Sequence, residues 1–348
     1  MSLSNPTVSV VMPIFTHTPE QLTTAIYSIL NQTFSDLELI IVDGRLNNAN
    51  YDIISAINDS RIKYFKIKGY VNCLDFGISQ AKGKYIARMD SDDISFPNRI
   101  AEQVKFLDEN PDISLCSCLL EFFNDERFLG YSTHTIEVNS LFNFIKKCEF
   151  AHTAMMFRKN INLRYENFKP LEDCLLFRNL LLSGYKFAII DKVLLKSYQA
   201  GHSLMARYPK YNNYLHSKID VYALAKYYDF NLSFADVIMS KKSFSEAEII
   251  EFLNFVSFIE KDLKKNGINA SFITEAYFSY MVSKVKHRAF LLKNKLFYQT
   301  FFKLYLDNIV NSIIKNIFSV TNEYNLGIRT KENKQKILRI FGLKIKLK

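Results

Sequence analysis

The chain has 348 residues, 48% of them hydrophobic, as expected of a globular protein with a real core. Its length suits one large domain with an appendage, or two domains. The net charge of +10 favours anionic partners, yet no zinc-finger, RNA-recognition or helix-turn-helix pattern accompanies it, so nucleic acid is not expected.

The five cysteines (Cys73, Cys116, Cys118, Cys148, Cys174) are odd in number and lack metal-ligand spacing. This argues against a disulfide framework and against zinc, and it fits a reducing cytoplasm. The start, Met1-Ser-Leu-Ser-Asn-Pro6, has neither the basic nor the apolar region of a signal peptide. No stretch approaches the ~18 apolar residues of a membrane span.

Thr7–Pro13 reads as a buried strand, β-branched and stopped by proline. Thr18–Gln32 has helical spacing, with Leu22, Ile26, Ile29 and Leu30 on one face. Leu37–Asp43 is a second buried strand, and Tyr51–Ile57 fits a short helix. Arg61–Ile67 reads as strand, Val71–Ala81 as helix stopped by Gly83, and Lys84–Met89 as a fourth strand. Pro97–Glu109 reads as a helix with proline in its first turn. Ile113–Leu120 is a further strand, on which the alternation of Cys116 and Cys118 turns one side chain to the core. Strand alternates with helix, which predicts a parallel, nucleotide-binding type of sheet.

From about Leu141 to Ser203 helix and strand mix. Beyond Met205 the pattern is helical, with a capping box at Ser245 and Glu248 and a stop at Asn266-Gly267. The tail, 331–348, is basic and amphipathic, helical before Gly342 and alternating after it. Such a segment suits an anionic inner-membrane surface, and packing on the helical region or on a partner subunit is the alternative.

The fourth strand runs into Asp90-Ser91-Asp92-Asp93, three carboxylates within four residues. Like charges this close repel, so a cation belongs among them. Hard ions such as Mg²⁺ or Mn²⁺ bind one or two carboxylates together with substrate phosphates. An isolated Asp-x-Asp reads better as a solvated acidic turn, because such triplets are common. Here it falls at the carboxyl end of a strand, as does Asp43, and ligands of such sheets bind there.

Pro6–Phe15, Ala25–Phe34, Leu39–Gly44 and Ala81–Asp93, continued by Ile94–Ile100, His152, Met155–Lys159, Leu171–Asp173 and Gly184–Phe187, together resemble the inverting glycosyltransferase family 2. The resemblance covers roughly Thr7 to Ser203. It implies an α/β GT-A fold, a Rossmann-like nucleotide-sugar sheet with an acceptor subdomain, over 1–204. A helical region (205–330) and the tail (331–348) follow. It implies a metal-dependent hexosyl- or N-acetylhexosaminyltransferase using Mg²⁺ or Mn²⁺, with a nucleotide-sugar donor, UDP-linked above all. The acceptor would be a glycan or lipid-linked glycan of a bacterial surface polysaccharide or lipooligosaccharide. The setting would be cytoplasmic, peripheral on the inner membrane.

By resemblance, Asp92 and Asp90 hold the metal, and Asp90 with Ser91 also meets the donor. Asp93 supports them. Pro13, Ile14 and Phe15 line the nucleobase, Asp43 contacts uracil, and Asp75 touches the donor. Asp173 is the base, with Glu172 beside it, although both residues equally suit the start of a helix. His152 and His202 are acceptor or supporting contacts, with packing or loop histidines as the rival reading. The chain departs from the family after Asp43: Gly44-Arg45-Leu46-Asn47-Asn48 replaces the usual second carboxylate and small hydroxyls. That departure sustains an alternative, a non-catalytic binding or scaffold subunit of a glycan assembly complex. A nucleotidyltransferase would need a glycine-rich basic opening loop, and Pro13–His17 has no glycine.

Overall fold

The computed structural model describes residues 5–15, 17–45, 49–125, 127–132, 141, 150–166, 171–199, 219–220, 222–229, 245–265, 337–340 and 343–346. The chain divides into two compact units, Met1–Phe290 and Leu291–Lys348.

In the first unit β1 (Val8–Ile14), β2 (Leu37–Asp43), β3 (Ile62–Lys66) and β4 (Tyr85–Arg88) are joined by α1 (Pro19–Leu30), α2 (Ala49–Ser55) and α3 (Tyr70–Gln80). They are parallel and lie in the order β3-β2-β1-β4. The sequence extends the sheet with β5 (Ile94–Ser95), α4 (Arg99–Glu109), β6 (Leu115–Phe123), β7 (Phe128–Tyr131), a 3-10 turn (His152–Ala154), β8 (Met156–Arg158), α5 (Glu172–Leu182) and β9 (Phe187–Tyr198). The spatial order continues β4-β8-β6-β9-β5, with β7 on β6.

The parallel sheet expected from strand–helix alternation therefore ends at β4. β8 is antiparallel to both β4 and β6, while β6 and β9 are parallel. The three-residue β8 carries no period of its own, which is why the reversal is invisible in the pattern. The result is a mixed GT-A sheet with helices on both faces.

Alternation along the strands builds two cores. Val10, Met12, Leu39 and Ile41 pack with α1 and α4 on one face. Val11, Ile40 and Val42 pack with α3 and α5 on the other. Period-two strands buried on both sides produce this division. Cys116 and Cys118 lie two apart on β6 and both are buried, so the expectation of one core-facing cysteine is corrected. Pro13 does not stop β1, which runs on to Ile14, because β4 has by then ceased to pair with that edge. Pro97 lies outside α4, before its cap Asn98, rather than in the first turn.

At α1 the sequence of the cap is sufficient cause: Thr18 and Gln21 exchange hydrogen bonds in a capping box, followed by Pro19. The α3–β4 connection is tied by a buried knot. Ser9 Oγ donates to Glu38 and accepts from the Lys82 and Gly83 amides. A Cβ on Gly83 would stand 2.6 Å from the Ser9 nitrogen, so only glycine fits there.

Helical residues 219–220 and 222–227 supply Asp220, which pairs with Arg178 of α5. Both side chains are buried, and losing either partner of such a pair costs about 3–5 kcal/mol. The pair anchors α5, and with it the Glu172-Asp173 start. Further on, α6 (Glu246–Lys265) begins at the expected Ser245–Glu248 capping box, while its expected stop at Asn266-Gly267 lies outside the described residues.

In the second unit β10 (Ile337–Ile340) pairs antiparallel with β11 (Leu343–Lys346). The helical expectation before Gly342 is thus corrected to a hairpin. The register sets Leu338 against Ile345 and Ile340 against Leu343, and cross-strand apolar pairs favour strand over helix. Among the described residues no helix is long and apolar enough to cross a membrane.

Candidate active site

Asp43 and Asp90 follow strands on either side of β1, at the carboxyl edge of the parallel part of the sheet. Two strand spacings put them about 10 Å apart. Between them the end of β1 presents Pro13, Ile14 and Phe15. Pro13 and Ile14 are buried, while Phe15 is 41% exposed. A Cβ on Gly44 would stand 2.5 Å from the Phe15 ring, so Gly44 is what allows that ring to lie across the end of β2.

Asp43 is completely buried. It accepts hydrogen bonds from the Arg45 amide, Asn50 Nδ2 and the Tyr64 hydroxyl, at 2.9, 3.1 and 3.0 Å. Arg45 in turn donates through Nε to the Phe15 carbonyl at 2.7 Å. Asp43 therefore ties the end of β2 to Arg45, α2 and β3.

Across β1 the acidic turn is folded inward. Carboxylate oxygens of Asp90, Asp92 and Asp93 all lie within 4.8 Å of one another. Arg88, the last residue of β4 and only 4% exposed, grips Asp90 with both terminal nitrogens, at 2.6 and 2.5 Å. Asp93 is buried and accepts from Thr153 Oγ1 and from the Tyr198 amide. Ser91 is buried in the turn. Among the described residues, Asp92 is the carboxylate of the three with fewest side-chain partners. Burial first, then the charges of Asp90 and Asp93, push it up to about 7, and burial with Asp90 pushes Asp93 up to about 6. One guanidinium does not balance three carboxylates, and the residues fit a hard divalent cation: oxygen ligands, close spacing and surplus negative charge.

Behind this turn stands a second buried arginine. Arg99 of α4 donates to the Arg88 carbonyl at 2.6 Å and to the Thr153 carbonyl at 3.4 Å. Its neighbour Gln103 donates to the Ala154 carbonyl at 2.8 Å. The two side chains lock β4 to the 3-10 turn that carries His152 and Thr153.

Asp173 is the second residue of α5, and its carboxylate accepts from the Cys174 amide at 2.7 Å. Burial raises its pKa, while Arg88 and Arg178 draw it down. Arg88 thus acts on Asp92, Asp93 and Asp173 together. Glu172 precedes Asp173 in the same first turn.

His152 makes a 2.5 Å hydrogen bond with the Tyr165 hydroxyl and packs edge-on against Phe177. Burial and Arg88 hold its pKa well below the usual value, so it is a neutral, packed imidazole. Asp75 accepts from the Tyr165 amide, so α3 and His152 meet through Tyr165. His202 lies outside the described residues. Arg88, Arg99, Thr153 and Tyr198 were not singled out by sequence reasoning. The local signal for Arg88 is the acidic run Asp90–Asp93, which begins two residues after it.

Residues 9–170 match the family model "Glycosyl transferase family 2". An uncharacterized glycosyltransferase of Methanocaldococcus jannaschii is 31% identical over 240 residues, covering 65% of this chain and 79% of that protein. The chain belongs to glycosyl transferase family 2. The O-antigen biosynthesis glycosyltransferase WbnJ of Escherichia coli is 31% identical over 173 residues, 46% of this chain and 65% of that one. A longer relative from Rickettsia bellii, 32% identical, is covered over 27% of its length. The crystal structure of S. aureus TarS 1-349 in complex with UDP-GlcNAc superposes with a TM-score of 0.53 at 15% identity, covering 79% of this chain and 88% of that one. At that identity the likeness concerns the fold, and it is the GT-A fold.

A carboxylate whose folded pKa is raised binds its proton more tightly when folded than when unfolded. Stability then falls as pH rises from the ordinary carboxylate value towards the raised one. Cation-free protein should therefore lose melting temperature between about pH 4 and pH 7 through Asp92 and Asp93. Mn²⁺ should restore more of it at the upper end. The Asp92→Asn variant should show a flatter profile and little response to Mn²⁺, and a variant that responds like wild type would contradict the assignment.

Proposed function

We propose that this glycosyltransferase moves a sugar from a UDP-sugar, with inversion, to a hydroxyl of a growing surface glycan. The observation that carries the reading is the acidic turn itself: oxygens of Asp90, Asp92 and Asp93 gather within 4.8 Å of one another just past β4, with Arg88 paired to Asp90. Inverting transfer needs a site for the leaving group and a proton acceptor, and Asp173 is the acceptor we assign. Two relatives support the substrate class. WbnJ is named for O-antigen biosynthesis, and WfaP of Escherichia coli is named as a UDP-Glc-dependent β-1,3-glucosyltransferase acting on a diphosphoundecaprenol-linked sugar. TarS structures in complex with UDP and with UDP-GlcNAc support a uridine donor.

Asp92 and Asp90 are the residues to hold Mg²⁺ or Mn²⁺. Bound there, the ion would stabilise the charge that builds on the departing diphosphate. Arg88 fixes Asp90, and Thr153 with the Tyr198 amide fixes Asp93, so the turn keeps its shape as charge develops. Phe15 offers an exposed ring to the nucleobase beside Asp43, and Asp75 supports the neighbouring loop. Asp173 takes the proton of the acceptor hydroxyl as the new bond to C1 forms and the C1–O bond to diphosphate breaks. Its raised pKa makes it the stronger base, and Glu172 flanks it. The engagement of Asp43 by Arg45, Asn50 and Tyr64 favours a second reading, a binding subunit that does not turn over donor.

Donor hydrolysis and transfer across UDP-, GDP- and CMP-sugars separate the two. One UDP-sugar should turn over, with activity removed by chelation and by Asp92→Ala. Asp173→Asn should bind donor normally and lose transfer by about 100-fold or more. No turnover of any donor by wild type would favour the binding subunit, and full transfer by Asp173→Asn would move the base elsewhere.

The basic tail extends the proposal to a peripheral position on an anionic membrane, beside a lipid-linked acceptor. Full-length protein should co-sediment with phosphatidylglycerol vesicles, and protein lacking 331–348 should do so less. Equal sedimentation of the two would remove the tail from membrane binding.

A further inference from the structure

Two strands leave the acidic turn together. β5 begins at Ile94, next to Asp93, and β9 ends at Tyr198, whose amide donates to Asp93 at 2.8 Å. They pair antiparallel at the far edge of the sheet, Ile94 with Lys196 and Ser95 with Leu195. Opposite them runs α1. Its buried face carries Leu22, Ala25, Ile26, Ile29 and Leu30. Gln21, Thr24, Ser28 and the cap Asn31 recur at three- and four-residue steps, so they share one polar stripe.

A cavity of about 610 Å³ lies between α1 and this strand pair, lined by Thr23, Thr24, Tyr27, Asn31, Phe96 and Lys196 among others. Its lining residue Lys196 lies on β9 two positions before Tyr198, whose amide donates to Asp93 of the acidic turn. The Tyr198 hydroxyl donates to Asp125 at 2.6 Å. From Gln21 to Asn31 the helix spans about 15 Å.

The lining chemistry is specific. Thr24, Tyr27 and Asn31 are exposed, and no described residue hydrogen-bonds their side-chain hydroxyl or amide groups. Tyr27, 45% exposed, adds an aromatic ring. The one charged lining residue, Lys196, is already paired with Glu121 at 2.8 Å. A phosphorylated or acidic ligand would need an uncompensated cation, which this wall lacks. A neutral polyol needs hydroxyl and amide partners with an apolar ring to lie on, and the wall has both.

We infer that the groove between α1 and the β5–β9 edge is an acceptor-glycan subsite, which leads a neutral sugar chain from the outer edge of the sheet to the acidic turn. The inference rests on the proposed transferase reading and names where its acceptor lies. Tyr27 and Thr24 contact the chain, and Tyr198 stands at the junction with the donor side.

The test uses full-length protein on a microarray of bacterial surface oligosaccharides. Wild type should retain one or more neutral glycans. The double variant Thr24→Val, Tyr27→Ala should retain them about tenfold less, equivalent to one or two lost hydrogen bonds. Both substituted positions are exposed, so an unchanged melting temperature confirms that the variant is folded. Tyr27→Phe, which keeps the ring, should recover part of the loss. Equal retention by wild type and the double variant, or no retention by wild type, overturns the inference. Donor turnover measured on the same wild-type preparation keeps the two claims apart. Absent turnover counts against the transferase reading, whereas turnover with unchanged glycan retention counts against the groove alone.

Discussion

The structure depends on how Arg88 is held. A guanidinium at the end of an interior strand, almost without access to water, is costly unless its charge and its donors are met. Asp90 meets it with a two-point ion pair, and Arg99 clasps the carbonyl of the same residue from behind. This pins the turn after β4. The turn then brings Asp92 and Asp93 close to Asp90, with more negative charge than Arg88 can neutralise. Burial of Asp92 first, and then the charges of Asp90 and Asp93, raise its pKa. Burial raises the pKa of Asp173 at the start of α5, and the charge of Arg88 opposes that rise.

The remainder of the fold serves that arrangement. The parallel strands deliver Asp43 and Asp90 to one edge, either side of β1. The antiparallel β8 is reached only after the chain has passed through the 3-10 turn, which places Thr153 against Asp93 and His152 against Tyr165. The Arg178–Asp220 pair fastens α5, and Arg178 also donates to the Cys174 carbonyl, so a helical segment far along the chain helps to hold the start of that helix. Polar contacts of this kind, buried and fully partnered, give a unique geometry more than they give stability.

Much of this was legible in the sequence because it is local. β2 was read residue for residue, since a mostly apolar run ending in Asp-Gly admits few alternatives. The acidic turn stood out through charge density alone. The contacts that give the turn its chemistry did not, because Thr153 and Tyr198 lie 60 and 105 residues from Asp93 and look ordinary where they stand. Arg88 read as a strand residue with a polar end, and only burial reveals its weight. Asp43 was anticipated at the right strand end, but its three own-chain partners depend on Tyr64 across the sheet and on Asn50 in α2. The mixed sheet escaped detection because three residues of β8 have no readable period. The tail was read as part helix because its apolar spacing suits either period until Leu338 and Ile345 are seen to pair.

The central claim is that Asp90 and Asp92 form a cation–diphosphate site facing Asp173. Anomalous diffraction from crystals grown with Mn²⁺ and UDP tests it most directly. The account predicts a manganese peak at ligand distance from an Asp92 oxygen, with diphosphate oxygens completing the sphere on the side of Asp173. A peak elsewhere, or ordered UDP beside a manganese-free acidic turn, would contradict it.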